Sequence, residues 1–527
     1  MNRDLVIIEA VGKIRPLRAI FEEVGLKADL CATIGHILEA PQDLRQLGIK
    51  YQNGEFVEFN RRPLRSDSFD YLCRSIQSCK GRILIATDND QDGHVIASDV
   101  LSVAEQIGNK QPIYRMLFSG INRESVLHAL GRLQPVDSLL AQPGTARRIL
   151  DRLIGGCLSD FDAHLPVGRV QTALLEIANE GLAHSYINVQ MQAVDGGRNF
   201  HARVPINGAV SPAELIAQLK MDDLPAAPVL DSVPARLADP MNYGDALLAI
   251  QGGVGLALED AAGLLQEMYE QGDISYHRTT TRAFTSASCE VMQRMARIKG
   301  ITAFRHSALP MVDAVGESVV PHEAIHVLNE KLLQRLDLGK PPALQGSHRE
   351  AALVILARRS LESGIVVSRE TPDLARSPAW TQELIWTRDS RKPSLPWMTP
   401  AAPAVVSVDP KAELVTEMMR RGIGRPSTWP THASRFVERG LLDSNHELSE
   451  KGRRLLAAAP PGLRNLLCSE RIEEILERDD VTVSQMVNGA LEVALAGDHE
   501  RAAALIQQIQ EQFEDAEELE RHYRPSI

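Results

Sequence analysis

The stretch Arg82-Ile83-Leu84-Ile85-Ala86-Thr87-Asp88-Asn89-Asp90-Gln91-Asp92-Gly93 limits the fold more than any other. It opens as an apolar run with the length of one buried strand and passes directly into three carboxylates at alternate positions. Leu5-Val6-Ile7-Ile8 is a second such run and ends on Glu9. Helical spacing follows over Ile14 to Val24, then a strand near Leu30 to Ile34 that ends at Gly35-His36. A helix from Val95 to Ile107 and a strand from Ile113 to Phe118 come after the aspartates. Strand and helix alternate, which predicts an open, mostly parallel α/β sheet. In such sheets function gathers at the carboxyl ends of the strands, where Glu9, His36, Asp88, Asp90 and Asp92 all fall.

Three carboxylates packed this closely repel one another unless a cation neutralises them. Oxygen-only ligands suit Mg²⁺, which keeps several waters and binds through one or two carboxylates plus a phosphate. The same pattern also suits a polar loop with an aspartate capping the next helix. A carboxyl among other carboxylates has a raised pKa, so Glu9 is expected to hold a proton that it can deliver to a leaving group.

The chain has 527 residues, enough for several domains. No apolar run is long enough to cross a bilayer, and the first residues, Met1-Asn2-Arg3-Asp4, do not read as a signal peptide. Cys31, Cys73, Cys79, Cys157, Cys289 and Cys468 form no C-x-x-C pair. That argues against a zinc ribbon or a disulfide framework and fits a reducing cytoplasm. Net charge is −12, which argues against a protein that simply coats nucleic acid but leaves room for a local basic groove. No Gly-x-x-x-x-Gly-Lys-Ser/Thr loop is present, so ATP hydrolysis is not expected.

A second stretch carries different chemistry. Leu258, Ala261, Leu265, Met268 and Tyr269 recur at helical spacing, and Gly272-Asp273 ends that helix. Ile274 to Thr279 then reads as a short extended segment. In a strand Tyr276 and Arg278 would share a face, so a phenol and a guanidinium would meet one phosphate. A tyrosine oxygen can form a phosphoester, and the cation favours both phenolate and phosphate. Alone, the triplet suits an edge strand with an aromatic packed on the core better than a catalytic site.

The Asp-x-Asp repeat at a strand end with an upstream Ile-Ile-Glu resembles the toprim domain of topoisomerases, certain primases and small nucleases. Glu9, Lys13 and Gly35-His36 are similar to its type IA DNA topoisomerase version. The order of motifs continues. Ala146-Arg147-Arg148-Ile149-Leu150-Asp151-Arg152 resembles that family's Arg-Arg-x-x-Asp-Arg helix, on which Arg147 and Asp151 would face each other one turn apart. Val167-Gly168-Arg169-Val170-Gln171 is similar to its Gly-Arg-Val-Gln signature, His322-Glu323-Ala324-Ile325 to the motif near its tyrosine, and Gly422-Ile423-Gly424-Arg425-Pro426-Ser427-Thr428 to its C-terminal core. Departures are Asp92 for Glu, Ala10-Val11-Gly12 before Lys13, Pro166 for Ser, Thr280-Thr281 for Asp-Ser, His326 for Arg, and Trp429-Pro430 for Tyr-Ala.

The resemblance implies a multidomain α/β and α+β chain of toroidal layout, with a Rossmann-like toprim sheet, helical domains and a β hinge. Toprim would span 1–122 and the helical DNA-binding domain 123–185 and 411–527. The hinge would span 186–240 and 350–410, and the inserted domain with the tyrosine 241–349. Leu353-Val354-Ile355-Leu356 falls in the second extended stretch on this reading, and Leu505 to Tyr523 is an amphipathic terminal helix. Implied roles are catalysis by Tyr276, Arg278, Glu9 and Lys13, with Mg²⁺ on Asp88, Asp90, Asp92 and Glu9. DNA contacts would come from His36, Arg147, Asp151, Arg169, Gln171, His322, Arg425, Ser427 and Thr428. The implied activity is ATP-independent single-strand cleavage through a 5′-phosphotyrosyl bond, strand passage and resealing, with no zinc. It would act on single-stranded segments of negatively supercoiled or catenated DNA, as a cytoplasmic, nucleoid-associated monomer helped by a helicase or other protein partner. Two competing readings are a toprim nuclease or primase and a catalytically degenerate single-strand-binding protein. The first has no use for Tyr276 and Arg278, and the retained carboxylates count against the second.

Overall fold

The computed structural model describes residues 3–118, 120–312, 322–398, 404–478 and 480–523, the last nine of these by backbone alone. Two compact units emerge. One comprises 1–176, 420–424 and 450–527, and the other 177–419 and 425–449.

In the first unit, four strands form a wholly parallel sheet in the order Ala28–Ala32, Asp4–Ile8, Ile83–Ile85, Ile113–Arg115. Asp4–Ile8 is buried along its whole length, as expected of a strand covered on both faces. Helices Ile14–Val24 and Gln91–Gln106 follow the first and third of these strands in sequence. The apolar positions of the latter, among them Ile96, Val100 and Val103, close a core with Leu5, Ile7, Ile83 and Ile85. The strand order reverses between Asp4–Ile8 and Ile83–Ile85. Such a switch point opens a crevice at the carboxyl ends of the two strands, and Glu9 and Asp88 follow those two ends.

The same unit has a second core. Ala146, Ile149, Leu150 and Leu153 on the helix Gln142–Cys157 pack with Ile472 and Leu476 on Leu466–Leu476, with Met486, Val487 and Ala490 on Val483–Ala494, and with Leu505 and Ile509. The last two lie on the terminal helix His499–Tyr523, as its amphipathic spacing predicts.

The second unit holds two antiparallel three-stranded sheets. Phe200–Asn207, Ala183–Met191 and Val405–Ser407 form one, and residue burial alternates strictly along Phe200–Asn207, the signature of a sheet with one wet face. In the other, Val229–Arg236 pairs with Val366–Pro372, which pairs with Arg388–Ser390. Residues 237–365 therefore leave and return on adjacent strands. Within that excursion, the helix Leu258–Glu270 buries Leu258, Ala261, Leu265, Met268 and Tyr269, the set its periodicity picks out. Leu353 to Leu356 is a correction. They are not extended but lie within the helix His348–Glu362, started by Ser347, whose side chain accepts from Glu350 N. A short apolar run fits a buried helix as well as a strand, and here the N-cap and the helix-forming residues around the run decide it. Pro400 and Pro403, two prolines of the expected second extended stretch, lie outside the described residues.

Candidate active site

The acidic edge is built by short-range constraints. Asp90 starts the helix Gln91–Gln106 by accepting from Gly93 N at 2.7 Å, which satisfies one orphan donor of the first turn. Thr87 Oγ1 donates to Gly93 O at 2.7 Å. The turn is so tight that a Cβ on residue 93 would lie 2.0 Å from Asp88 O, so only glycine fits. Asp88 is buried. Lys13 reaches it from the turn after Asp4–Ile8 and forms an ion pair with it, although Lys13 is itself fully buried. Asp92 is half-exposed, with His36 Nε2 3.8 Å from its carboxylate. A buried ammonium and a buried carboxylate are each costly alone, and pairing is what makes both tolerable.

Arg115 is the residue that reading the sequence missed. It ends the edge strand Ile113–Arg115 and is buried. Its guanidinium donates to Ile85 O at 2.9 Å, Thr87 O at 2.8 Å and Asp88 O at 2.8 Å. Burial pushes its pKa down to about 10, opposed by the charges of Asp88, Asp90 and Glu9. It therefore stays protonated and forms a fixed cation within electrostatic reach of three carboxylates. An arginine in a strand flanked by apolar runs was the available signal.

The donor set is oxygen-rich and fits a hard divalent cation that keeps its waters. It does not form a closed protein shell. Among the described residues no three acidic, His or Cys side chains come together as a metal-holding group. Of the four carboxylates expected to serve a metal, Asp88 is paired with Lys13, Asp90 caps a helix and Asp92 lies beside His36. What fits is an open site of one or two carboxylates.

The tyrosine loop of the second unit is clamped on both sides. Asp273 is held by Arg349, Nε to Oδ2 2.8 Å. Ser275 N donates to His326 O at 3.0 Å, His326 N returns a bond to Ser275 Oγ at 3.1 Å, and Tyr243 N donates to Thr279 O at 2.8 Å. The expected strand does not form. Ile274 makes one isolated bridge with Val327, and the chain then bends, because these bonds go to loop and helix segments and not to a neighbouring strand. Tyr276 is 6% exposed. Its ring meets Tyr269 at 5.2 Å, His277 at 5.7 Å and His322 at 5.6 Å between centroids. Arg278 Nη2 donates to Gln266 Oε1 at 3.0 Å. Burial pushes the Tyr243 phenol up to about 12, against the pull of Arg278. The structure therefore brings Tyr276 and His322 together and holds Arg278 by the helix Leu258–Glu270.

The arginine helix departs from the expected pairing. Arg147 does not face Asp151. Asp151 binds Arg169, Nε to Oδ1 2.9 Å, and Arg147 pairs with Glu473 from the helix Leu466–Leu476. One-turn spacing permits the local pair, but a buried carboxylate from a distant helix competes better for a guanidinium than the half-exposed Asp151. Gln171 Nε2 donates to Pro166 O at 3.3 Å. Arg425, Ser427 and Thr428 lie in the turn between the helices Pro410–Arg420 and Trp429–Glu438, where Thr428 Oγ1 donates to Arg425 O at 3.1 Å.

Residues 4–121 match the family model of the Toprim domain. A Toprim domain opens this chain. Over a longer span it is homologous to reverse gyrase and DNA topoisomerase 1. It is 24% identical over 492 residues to reverse gyrase 1 of Aquifex aeolicus, covering 84% of this chain and 42% of that protein. It is 21% identical over 534 residues to DNA topoisomerase 1 of Pseudomonas aeruginosa, covering 85% of this chain and 60% of the relative. The chain thus spans less than two thirds of either. Full-length topoisomerase I from Thermotoga maritima shares the fold, with a TM-score of 0.54 at 18% identity over 97% of this chain and 90% of that one. Among the described residues no single helix is long and apolar enough to cross a membrane.

Proposed function

We propose that this chain is a type IA DNA topoisomerase core that opens and reseals one DNA strand without ATP. The observation that carries the reading is Tyr276, held in an aromatic and histidine surround by a clamped loop, in a chain that also bears a Toprim acidic edge. The Tyr276 phenolic oxygen attacks a backbone phosphorus of a single strand. The bond from phosphorus to the 3′-oxygen breaks, leaving a 5′-phosphotyrosyl bond and a 3′-hydroxyl. Attack by that hydroxyl reverses the step and returns the proton to Tyr276, so the ester bond energy is conserved.

Arg278 stabilises charge growing on the phosphate, and a donor of this kind is worth about 2.7–4 kcal/mol in such sites. His322, beside the phenol, contacts the same phosphate. Mg²⁺, taken by Asp88 and Asp90 with Glu9 nearby, supplies positive charge to the DNA backbone when bound. Lys13 and Arg115 keep that edge folded by neutralising it from within. The reading requires Tyr276 and the acidic edge to act on one strand. Gln171, Arg425, Ser427 and Thr428 would contact the DNA backbone.

The test is negatively supercoiled plasmid with Mg²⁺ and no ATP. Wild-type protein should give a topoisomer ladder and, after denaturation, a protein–DNA adduct. Tyr276→Phe removes the attacking oxygen and should give neither. A ladder from the Phe variant would overturn the assignment. Wild-type protein that binds single strands without an adduct would identify a binding protein instead.

A further inference from the structure

We propose that Glu473 is a positioning residue that holds Arg147 as a two-pronged donor for a phosphodiester of single-stranded nucleic acid. The helix Leu466–Leu476 turns Leu466, Ser469, Ile472, Glu473 and Leu476 inward. A carboxylate in that register is tolerated only if it is fully bonded. Glu473 is 6% exposed. One of its oxygens takes Arg147 Nη1, and the other takes Arg169 Nη1 together with Gly424 N at 3.0 Å. It thereby joins three segments far apart in sequence.

The two arginines end in different states. Arg169 has its Nε and Nη2 on Asp151, at 2.9 and 3.2 Å, and its Nη1 on Glu473. Every nitrogen of that guanidinium has a carboxylate, so its part is structural. Arg147 spends only Nη1. Its Nε and Nη2 are buried and have no hydrogen-bond partner. These two nitrogens form the side edge of the guanidinium, whose parallel N–H bonds match two oxygens of one phosphate. The cluster of Arg147, Arg169, Asp151 and Glu473 is neutral overall. A phosphate would therefore be held by direction and not by bulk charge, which suits a chain of net charge −12.

This inference rests on the proposed reading of a strand-handling protein, and its test is separable from that reading. Binding of a dye-labelled oligothymidylate is measured by anisotropy over a range of KCl, on the full chain carrying Tyr276→Phe so that no cleavage intervenes. Arg147→Ala should weaken binding about tenfold and reduce the log–log salt slope by about 0.7, one phosphate contact. Glu473→Gln should weaken it similarly even though it removes a negative charge. An amide keeps only one acceptor oxygen, and its NH₂ group faces a guanidinium. Arg147→Ala added to Glu473→Gln should change little. Arg147→Lys keeps the charge but loses the planar edge, and should bind several-fold more weakly at an unchanged slope. Tighter or unaltered binding by Glu473→Gln, or losses that simply multiply in the double variant, would overturn the proposal. Wild-type affinity in Arg147→Lys would do the same, and that arm decides the matter if Glu473→Gln does not fold. Intact coupling in a protein without strand-transfer activity would leave the positioning standing and remove only the activity.

Discussion

Replacing Arg115 by Met tests the account of the acidic edge most directly. The side chains are close in length, so the change removes the charge and the donors and leaves most of the volume. Three backbone oxygens, those of Ile85, Thr87 and Asp88, lose donors at 2.8–2.9 Å. A hydrogen bond with a charged partner contributes about 1.5–3 kcal/mol, so the gross loss is about 4.5–9 kcal/mol. Not having to bury the guanidinium offsets several kcal/mol of this. Asp88, Asp90 and Glu9 lose a shared cation as well, and removing one partner of a buried charged group typically costs about 3–5 kcal/mol net. We expect that value.

The readout exploits the tryptophans. Trp380, Trp386, Trp397 and Trp429 all belong to the second unit. Their fluorescence follows that unit, whereas far-ultraviolet circular dichroism follows both. Arg115→Met should move the part of the urea transition seen only by dichroism to lower urea, by about 1–2.5 M for an m-value of about 2–3 kcal/mol/M. The fluorescence transition should stay in place. Arg115→Lys keeps the charge but cannot reach three carbonyls with one nitrogen, and should fall between. A shift below about 0.3 M in the Met variant would refute the claim that Arg115 neutralises and ties down this edge.

Three further outcomes are expected. Gly93→Ala drives a Cβ into the Asp88 carbonyl; it should cost about 1–3 kcal/mol and abolish Mg²⁺-dependent cleavage, measured by melting and by adduct yield. Asp88→Asn with Asp90→Asn should leave oligonucleotide binding without Mg²⁺ nearly unchanged and abolish complete turnover; unchanged plasmid relaxation would remove the metal assignment. Burial works to raise the Glu473 carboxyl, but Arg169 and Arg147 outweigh it and hold it at about 2. A depressed carboxyl contributes stability that is full above its unfolded value, about 4.3, and is lost as pH falls through the folded one. The stability gap between wild type and Glu473→Gln should therefore be constant above about pH 5 and close between about pH 4 and 2.

What the sequence made legible follows from the range of the forces involved. The parallel sheet was readable because Leu5 to Ile8 and Ile83 to Ile85 are apolar on both faces, and the helix before Tyr276 because its apolar residues repeat every turn. Both are properties of a local window. Leu353 to Leu356 failed for the reason that a run this short carries no period of its own. The Arg147–Asp151 pair failed differently. Its spacing was sound, but the energy was set by Glu473, more than three hundred residues away, and by burial that no local window reports. The signal was nevertheless present, since Glu473 sits in the apolar register of its helix. Arg115 left a signal of the same kind, a charge inside a strand that ought to be dry.

These two residues bear on how an acidic chain would handle a polyanion if the proposed function holds. Many of its arginines are committed internally. Arg61 is bonded to Asp99 at 2.7 and 2.6 Å, Arg148 to Glu58 at 2.7 Å, and Arg388 to Glu370 and Asp195. A cation locked on a carboxylate contributes little to attraction at a distance, where its field is cancelled and salt screens the rest. It contributes order instead, since each pair joins segments remote in sequence. On the proposed function, affinity for a DNA strand would come from directed donors that the internal pairs leave unspent within a rigid frame, as they do Nε and Nη2 of Arg147. On the proposed function, such a surface would not hold duplex DNA by charge alone. It would favour a backbone that can bend its phosphates into the donors, and a single strand does that at far lower cost than a duplex.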